Sequence, residues 1–308
     1  MPTDASPHSD VHPRNALNDL TGKEWIKFTR TWFVCDSPRY WKNRNTELHP
    51  ARYPEELVTE FLQFFTKSGG WVLDPFAGSG ATLVACRETG RNGVGVELNP
   101  KYVAVIRQRL ATLLDFEDEI HPIQGDAMDL SEPSFWQQQE LRDLSLLEGD
   151  AGLPLFDFIM TSPPYWNMLR KSRGGVESKQ KVRGKQGLDT HYSDLPADLG
   201  NIHDYDEFVE RLGQVFDGLL PLLKPEKYLT IVVQNLRAPG GEVKPLAWDL
   251  TRRVSQTFQF QGEKIWCQNT KMLGIWGYPK TFVPNYHHHD CILSEILRHR
   301  TPDRFSVR

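Results

Sequence analysis

Trp71-Val72-Leu73-Asp74-Pro75-Phe76-Ala77-Gly78-Ser79-Gly80 is the stretch on which the reading of this chain turns. Three apolar residues ending at an acid form a short buried strand, and the glycine-bearing turn leads into a helix from about Ser79 to Thr89, stopped by Gly90. A strand, a tight turn and a helix in direct succession are the building unit of parallel α/β sheets. The alternation continues on both sides. Upstream, Pro54 opens a helix with Glu55 and Glu56 at its positive end, and Leu57, Val58, Phe61, Leu62, Phe64 and Phe65 make its apolar face. Downstream, Gly93–Leu98 is a second strand, Pro100–Leu114 a second helix and His121–Gly125 a weaker third strand. Phe156–Met160 is a fourth strand, ending in Thr161-Ser162-Pro163-Pro164-Tyr165.

Apolar residues recur at helical spacing between Tyr205 and Leu223, Tyr228–Val233 is a fifth strand, and a helix near 245–257 with strands near 258–267 and 290–297 completes the set. This order predicts an α/β protein with a Rossmann-like, doubly wound, mainly parallel sheet. One domain would span 18–297, with a flexible arm at 1–17, a tail at 298–308 and an insertion at 166–204.

The bulk composition sets bounds. The chain has 308 residues, 39% of them hydrophobic, enough for a sizeable core and incompatible with wholesale disorder. The net charge of −4 excludes a globally basic DNA-coating protein, but the charge is unevenly spread. Residues 115–158 carry twelve Asp/Glu against Arg142 alone, a solvated face that repels nucleic acid. Residues 170–185 hold Arg170, Lys171, Arg173, Lys179, Lys181, Arg183 and Lys185 against Glu177, interleaved with glycines, which suits phosphate contact. Lys23–Arg52 and Lys271–Tyr286, where aromatics alternate with basic residues, are further candidates for a nucleic-acid surface; the aromatics of the first could equally be core. Four cysteines without a C-x-x-C pair argue against a disulfide framework and a cysteine zinc site. The polar N-terminus and the absence of a long apolar run point to a cytoplasmic protein with no membrane contact. His287-His288-His289-Asp290 lacks a second ligand cluster, and adjacent strand residues face opposite ways, so no metal is expected.

Three features at consecutive strand ends suggest a ligand pocket. Gly78 and Gly80 let a ligand approach the backbone, although a G-x-G string alone is also a common structural turn. Leu83 stands where the third glycine of a dinucleotide fingerprint belongs, which disfavours a pyrophosphate. Glu97 ends the second strand about 20 residues after the turn, where a carboxylate accepts ribose hydroxyls, and Asp126 ends the third strand, within reach of an adenine amino group. A nucleoside cofactor without phosphates fits, and S-adenosylmethionine is one. In Thr161-Ser162-Pro163-Pro164-Tyr165 each proline fixes its own φ, and neither offers an N–H, so the local backbone presents acceptors. Acceptors from Ser162 and a proline carbonyl would draw on the N–H bonds of a base amino group and localise its lone pair. Tyr165 would offer a face on which an extruded base stacks.

This set of motifs resembles the amino-group DNA methyltransferases, which methylate cytosine N4 or adenine N6, and the resemblance covers roughly residues 17–297. It implies the sheet of a class I methyltransferase with DNA-contacting insertions. Leu73 to Gly80 looks like the family's cofactor glycine motif, so Asp74, Phe76, Ala77, Gly78, Ser79 and Gly80 are expected at the cofactor. Glu97 with Leu98 matches the ribose-binding acid, Asp126 with Ala127 the adenine-binding acid, and Thr161 lies at the catalytic strand end. His49-Pro50-Ala51-Arg52-Tyr53-Pro54-Glu55 resembles the segment that closes over the cofactor's methionine end, which adds His49, Pro50 and Tyr53. Ser162, Pro163, Pro164 and Tyr165 are similar to the catalytic motif. In this family a serine before the two prolines usually accompanies cytosine N4, with adenine N6 or an RNA base as the alternative. Double-stranded DNA is the implied partner, with a companion restriction endonuclease in a prokaryotic cytoplasm. A non-catalytic DNA-binding protein on the same fold is the competing reading. Many members carry the catalytic segment first; here the glycine motif precedes it. Little chain follows the last strand, so DNA reading falls to insertions.

Overall fold

The structure, a computed structural model, describes residues 11–36, 53–113, 119–138, 152–166, 193, 195–237, 242–268, 279–280 and 292–299. Its strands are β1 (Trp32–Val34), β2 (Trp71–Asp74), β3 (Asn92–Glu97), β4 (Ile120–Gln124), β5 (Phe156–Thr161), β6 (Leu223–Val233), β7 (Leu236–Arg237), β8 (Val243–Lys244), β9 (Gln259–Cys267) and β10 (Ile292–Arg298). The helices are α1 (Gly22–Phe28), α2 (Glu55–Phe65), α3 (Ala81–Thr89), α4 (Pro100–Ala111), α5 (Pro133–Gln138), α6 (Tyr205–Leu219) and α7 (Leu246–Val254).

Eight strands form one sheet in the order β1-β9-β10-β6-β5-β2-β3-β4, and β7 pairs with β8 in a separate hairpin. β10 runs antiparallel to both its neighbours, and the other pairs in the large sheet are parallel. The chain order reverses at β2, which pairs with β3 on one side and β5 on the other. That reversal is where doubly wound sheets open a crevice at their carboxyl ends. It puts the glycine turn after β2 beside the Ser-Pro-Pro-Tyr turn after β5. This is the doubly wound, mainly parallel sheet that the sequence predicts.

Side chains alternate along β5 from Phe158 onward as the pleat requires. Phe158 and Met160 join the apolar cluster formed with α2 and Ile159 the cluster of Phe208, Leu212 and Phe216 on α6, which Phe156 also joins from across the register shift between Phe156 and Phe158. Burying each such side chain contributes about 1.5–3 kcal/mol, so both faces hold the strand ends in place.

Four details depart from the sequence reading. α3 begins at Ala81 because Gly80 is its N-cap in the left-handed region at φ 81°. α6 ends at Leu219, and β6 starts at Leu223 instead of Tyr228. The early start carries an irregularity: Phe156 pairs with Leu223 and Phe158 with Tyr228, leaving Pro225, which has no N–H, and Glu226, at φ 64°, between them. α1 and β1 were not anticipated as elements. Trp25 lies 4.8 Å from Phe64 and Phe28 stacks on Phe64 at 4.0 Å, so these aromatics of the Lys23–Arg52 candidate are core. Trp32 remains exposed, with the Arg30 guanidinium 5.9 Å from its ring. Asn18, at the start of the expected domain, is buried and donates to the Phe64 carbonyl at 2.6 Å.

Candidate active site

The glycine turn is held by its own backbone and by two acids. Asp74 ends β2 and accepts from the Phe76 N–H at 3.1 Å, an arrangement that starts the turn. Ala77 donates to the Val96 carbonyl at 2.9 Å and Gly78 to Glu97 Oε2 at 2.9 Å, tying the turn to the end of β3. The close approach of α3 to β3 uses the strand's glycines. A Cβ on Gly95 would sit 2.8 Å from Leu83, so the glycine missing from the helix is supplied by the strand. Arg109 on α4 binds the Ser79 carbonyl and the buried Glu55 carboxylate, so Glu55 acts as an ion-pair partner as well as a first-turn acid.

Asp74 is almost wholly buried and surrounded by donors. Thr161 Oγ1 donates to Oδ1 at 2.6 Å and Thr82 Oγ1 to Oδ2 at 2.5 Å, while the Tyr53 hydroxyl lies 3.1 Å from Oδ2. Burial raises its pKa, and these hydrogen bonds oppose the shift. Asp74, Thr161 and Thr82 thus form a polar knot joining β2, β5 and α3, with Tyr53 entering it from just before α2.

In front of the turn lies an open cleft. Of the residues expected at the site, Phe76, Gly78, Glu97, Leu98, Asp126, Ala127, Ser162 and Pro164 line it. Asp74, Tyr53, Ala77, Ser79, Gly80, Thr161, Pro163 and Tyr165 are not among its lining residues; they shape it from behind. His49 and Pro50, and the basic residues Arg170, Lys171, Arg173, Lys179, Lys181, Arg183 and Lys185, lie outside the described residues, as does His287–Asp290. Of Lys271–Tyr286 only residues 279–280 are described.

Glu97 accepts from the Gly78 N–H and, through Oε1, from the Asn99 N–H at 2.8 Å, which leaves further lone pairs on both oxygens. Burial pushes its pKa up to about 7 against those two bonds, with Asp74 and Asp198 adding to the rise. Asp126 caps the short helical turn after β4 by accepting from the Met128 N–H at 2.9 Å, and burial raises its pKa too.

One wall was not foreseen. Ser193, Ala197, Asp198 and Leu199 line the cleft, so the far end of the 166–204 connection is built into the nucleoside site. Asp198 holds that wall by accepting from Ser193 Oγ at 2.7 Å and the Gly200 N–H at 2.8 Å. The signal present in the sequence was local: an aspartate two residues before a glycine, the pattern of an Asx turn.

At the end of β5, Ser162 Oγ lies 2.8 Å from the Tyr165 hydroxyl, which donates to the Val232 carbonyl at 3.2 Å. Tyr165 is only 7% exposed, so its ring belongs to the core and offers no open face here. Trp166, at φ 46°, follows in a strained conformation, held by burial and an edge-on contact with Tyr205 at 5.4 Å.

The donor set fits one kind of cofactor. Among the described residues, three carboxylates (Glu97, Asp126 and Asp198) and no basic side chain line the cleft, which suits a nucleoside bearing positive charge and disfavours phosphates. The doubly wound sheet places this cleft at its reversal point, with the Ser-Pro-Pro-Tyr turn alongside. Residues 7–108 match the N6/N4 methyltransferase family model, described as DNA methylase. The match takes in the glycine turn and Glu97 and stops before Asp126 and Ser162.

Among curated relatives, the chain is 32% identical over 97 residues to Type II methyltransferase M.HpaI of Haemophilus parainfluenzae, covering 31% of each chain. It is 47% identical over 62 residues to Type II methyltransferase M.Cfr9I of Citrobacter freundii, covering 20% of this chain and 21% of that one. Over 94 residues it is 39% identical to Type II methyltransferase M2.DpnII of Streptococcus pneumoniae, covering 30% and 34%. The chain spans from about a fifth to a third of the length of these relatives. Among the described residues no group of His, Cys, Asp or Glu is placed to hold a metal ion, and no helix is long and apolar enough to cross a membrane.

Proposed function

We propose that the chain is a site-specific DNA methyltransferase that methylates the exocyclic amino nitrogen of a base flipped from the duplex, with cytosine N4 as the target. The observation that carries this reading is that Ser162 and Pro164 line the same cleft as Glu97 and Asp126. Glu97 would hold the ribose hydroxyls of S-adenosylmethionine, Asp126 the adenine amino group, and the turn at Phe76–Gly78 the methionine end. When bound, the cofactor supplies an electrophilic methyl group on a sulfonium.

An aromatic amino group is a poor nucleophile because its lone pair is delocalised into the ring. Ser162 Oγ and a carbonyl of the Pro163-Pro164 backbone accept its two N–H bonds and localise that pair. S-adenosylmethionine held by Glu97 and Asp126 would supply the methyl group to that nitrogen, its sulfur keeping the electrons of the carbon–sulfur bond, and the surplus N–H proton would pass to water. No metal is required. Ser162, in place of an aspartate or asparagine, supports cytosine N4; the N6/N4 breadth of the matched family keeps adenine N6 as the second reading. The basic run from Arg170 to Lys185 would contact phosphates. The Type II methyltransferase names of the relatives support a companion endonuclease.

Expression in a methylation-deficient bacterial host, followed by genome-wide mapping of modified bases, tests the reading. The expected result is N4-methylcytosine at one recurring sequence. Methyladenine would move the target to N6, and an unmodified genome would count against the enzyme. If Ser162→Ala binds DNA and its phenotype matches wild type, the non-catalytic reading gains.

A further inference from the structure

We propose that the Tyr165 hydroxyl orients Ser162 so that the serine presents only lone pairs to the substrate amino group; this rests on the methyltransferase reading above. Tyr165 is buried in the cluster that includes Trp166, Leu199 and Val233, while Ser162 and Pro164 line the cleft. Its oxygen lies 3.2 Å from the Val232 carbonyl and 2.8 Å from Ser162 Oγ. A phenol has one proton, and an amide carbonyl can only accept. With the Tyr165 proton given to Val232, the contact with Ser162 runs the other way, from the serine hydroxyl to the tyrosine oxygen.

The consequence is chemical. With its hydrogen turned back to Tyr165, Ser162 has none left to point into the cleft. A serine free to rotate would spend part of its time directing that hydrogen at the amino nitrogen, competing for the lone pair the reaction needs. The anchor is rigid: Val232 belongs to β6, whose pairing with β5 brings Thr161 opposite Ile231. It is also not basic, so the chain of bonds orients Ser162 and does not carry a proton away. Tyr165 is on this account a positioning residue.

Tyr165→Phe removes the hydroxyl and keeps the ring. Single-turnover rates would be measured with S-adenosylmethionine and methylation-free genomic DNA for wild type, Tyr165→Phe, Ser162→Ala and the double variant. The expected outcome is methyl transfer slowed about 10- to 100-fold in Tyr165→Phe, the loss expected for one oriented hydrogen bond. Cofactor and DNA dissociation constants and the melting temperature should stay near wild type. The double variant should be no slower than Ser162→Ala, because the hydroxyl works only through that serine. A wild-type rate in Tyr165→Phe would show that the ring alone matters, and additive losses would mean an independent role; either overturns the proposal. A wild-type enzyme that methylates no base would instead remove the reading on which it rests.

Discussion

Glu97 both ties the fold together and lines the cleft. Its carboxylate holds Gly78 and Asn99 by their N–H groups, and burial has raised its pKa to about 7. The raised pKa acts with opposite signs on stability and on binding. Between the ordinary value of 4.5 and about 7 the folded state holds the proton more tightly than the unfolded chain, so this group's contribution to stability falls as pH rises through that window. Ribose hydroxyls need the ionised form as acceptor. Calorimetric titration should therefore find S-adenosylmethionine affinity rising with pH, approaching tenfold per unit well below 7 and levelling above it. Glu97→Gln should bind weakly with that pH dependence gone. Asp74 behaves differently. Its position beside the glycine turn suggests a cofactor ligand, but four protein donors already occupy it. Asp74→Asn should lose about 2–4 kcal/mol in urea unfolding, the scale of a disrupted buried network, with weaker cofactor binding following from the loosened turn.

At the scale of elements, the stretch from α2 through β3 was legible because local chemistry and tertiary role agree there. Apolar residues repeat at helical spacing in α2, a short apolar run makes β2, and glycines stand where the turn needs them. Gly80 is the sharpest case, at φ 81° with an added Cβ only 2.9 Å from Ile106. Gly80→Ala should cost about 1–3 kcal/mol in denaturant unfolding from backbone strain and the contact together. What escaped the sequence reading depends on distant partners. The start of β6 was hidden by Pro225 and Glu226, which look like a loop and act as an irregularity against β5. The interleaved aromatics around Trp25 fit a nucleic-acid surface as well as a core, and only Phe61, Phe64 and Phe65 across the helix pair decide it. The cleft wall at 193–199 has no periodicity and reaches the site only through folding.

Over the whole molecule, the mild net charge of −4 averages opposed regions. The cleft itself is acidic, lined by Glu97, Asp126 and Asp198, while a net +6 lies between residues 170 and 185. The chain joins them: it leaves the Ser-Pro-Pro-Tyr turn, runs through the basic stretch and returns as the wall carrying Asp198. Cofactor and DNA would then be held by opposite charges on one connection. Replacing Lys181 and Arg183 by alanine should weaken DNA binding and make the slope of log affinity against log salt shallower by about 2, roughly one phosphate per cation. Cofactor affinity in the absence of DNA should be unchanged.

The central claim is that this cleft methylates a base amino group, and nucleoside mass spectrometry of the product tests it most directly. Purified protein would be incubated with isotopically labelled S-adenosylmethionine and methylation-free duplex DNA, and the DNA digested. The account predicts the label in N4-methylcytosine, absent with Ser162→Ala. Label on a ring carbon, or no label in any nucleoside while the cofactor binds, would contradict it.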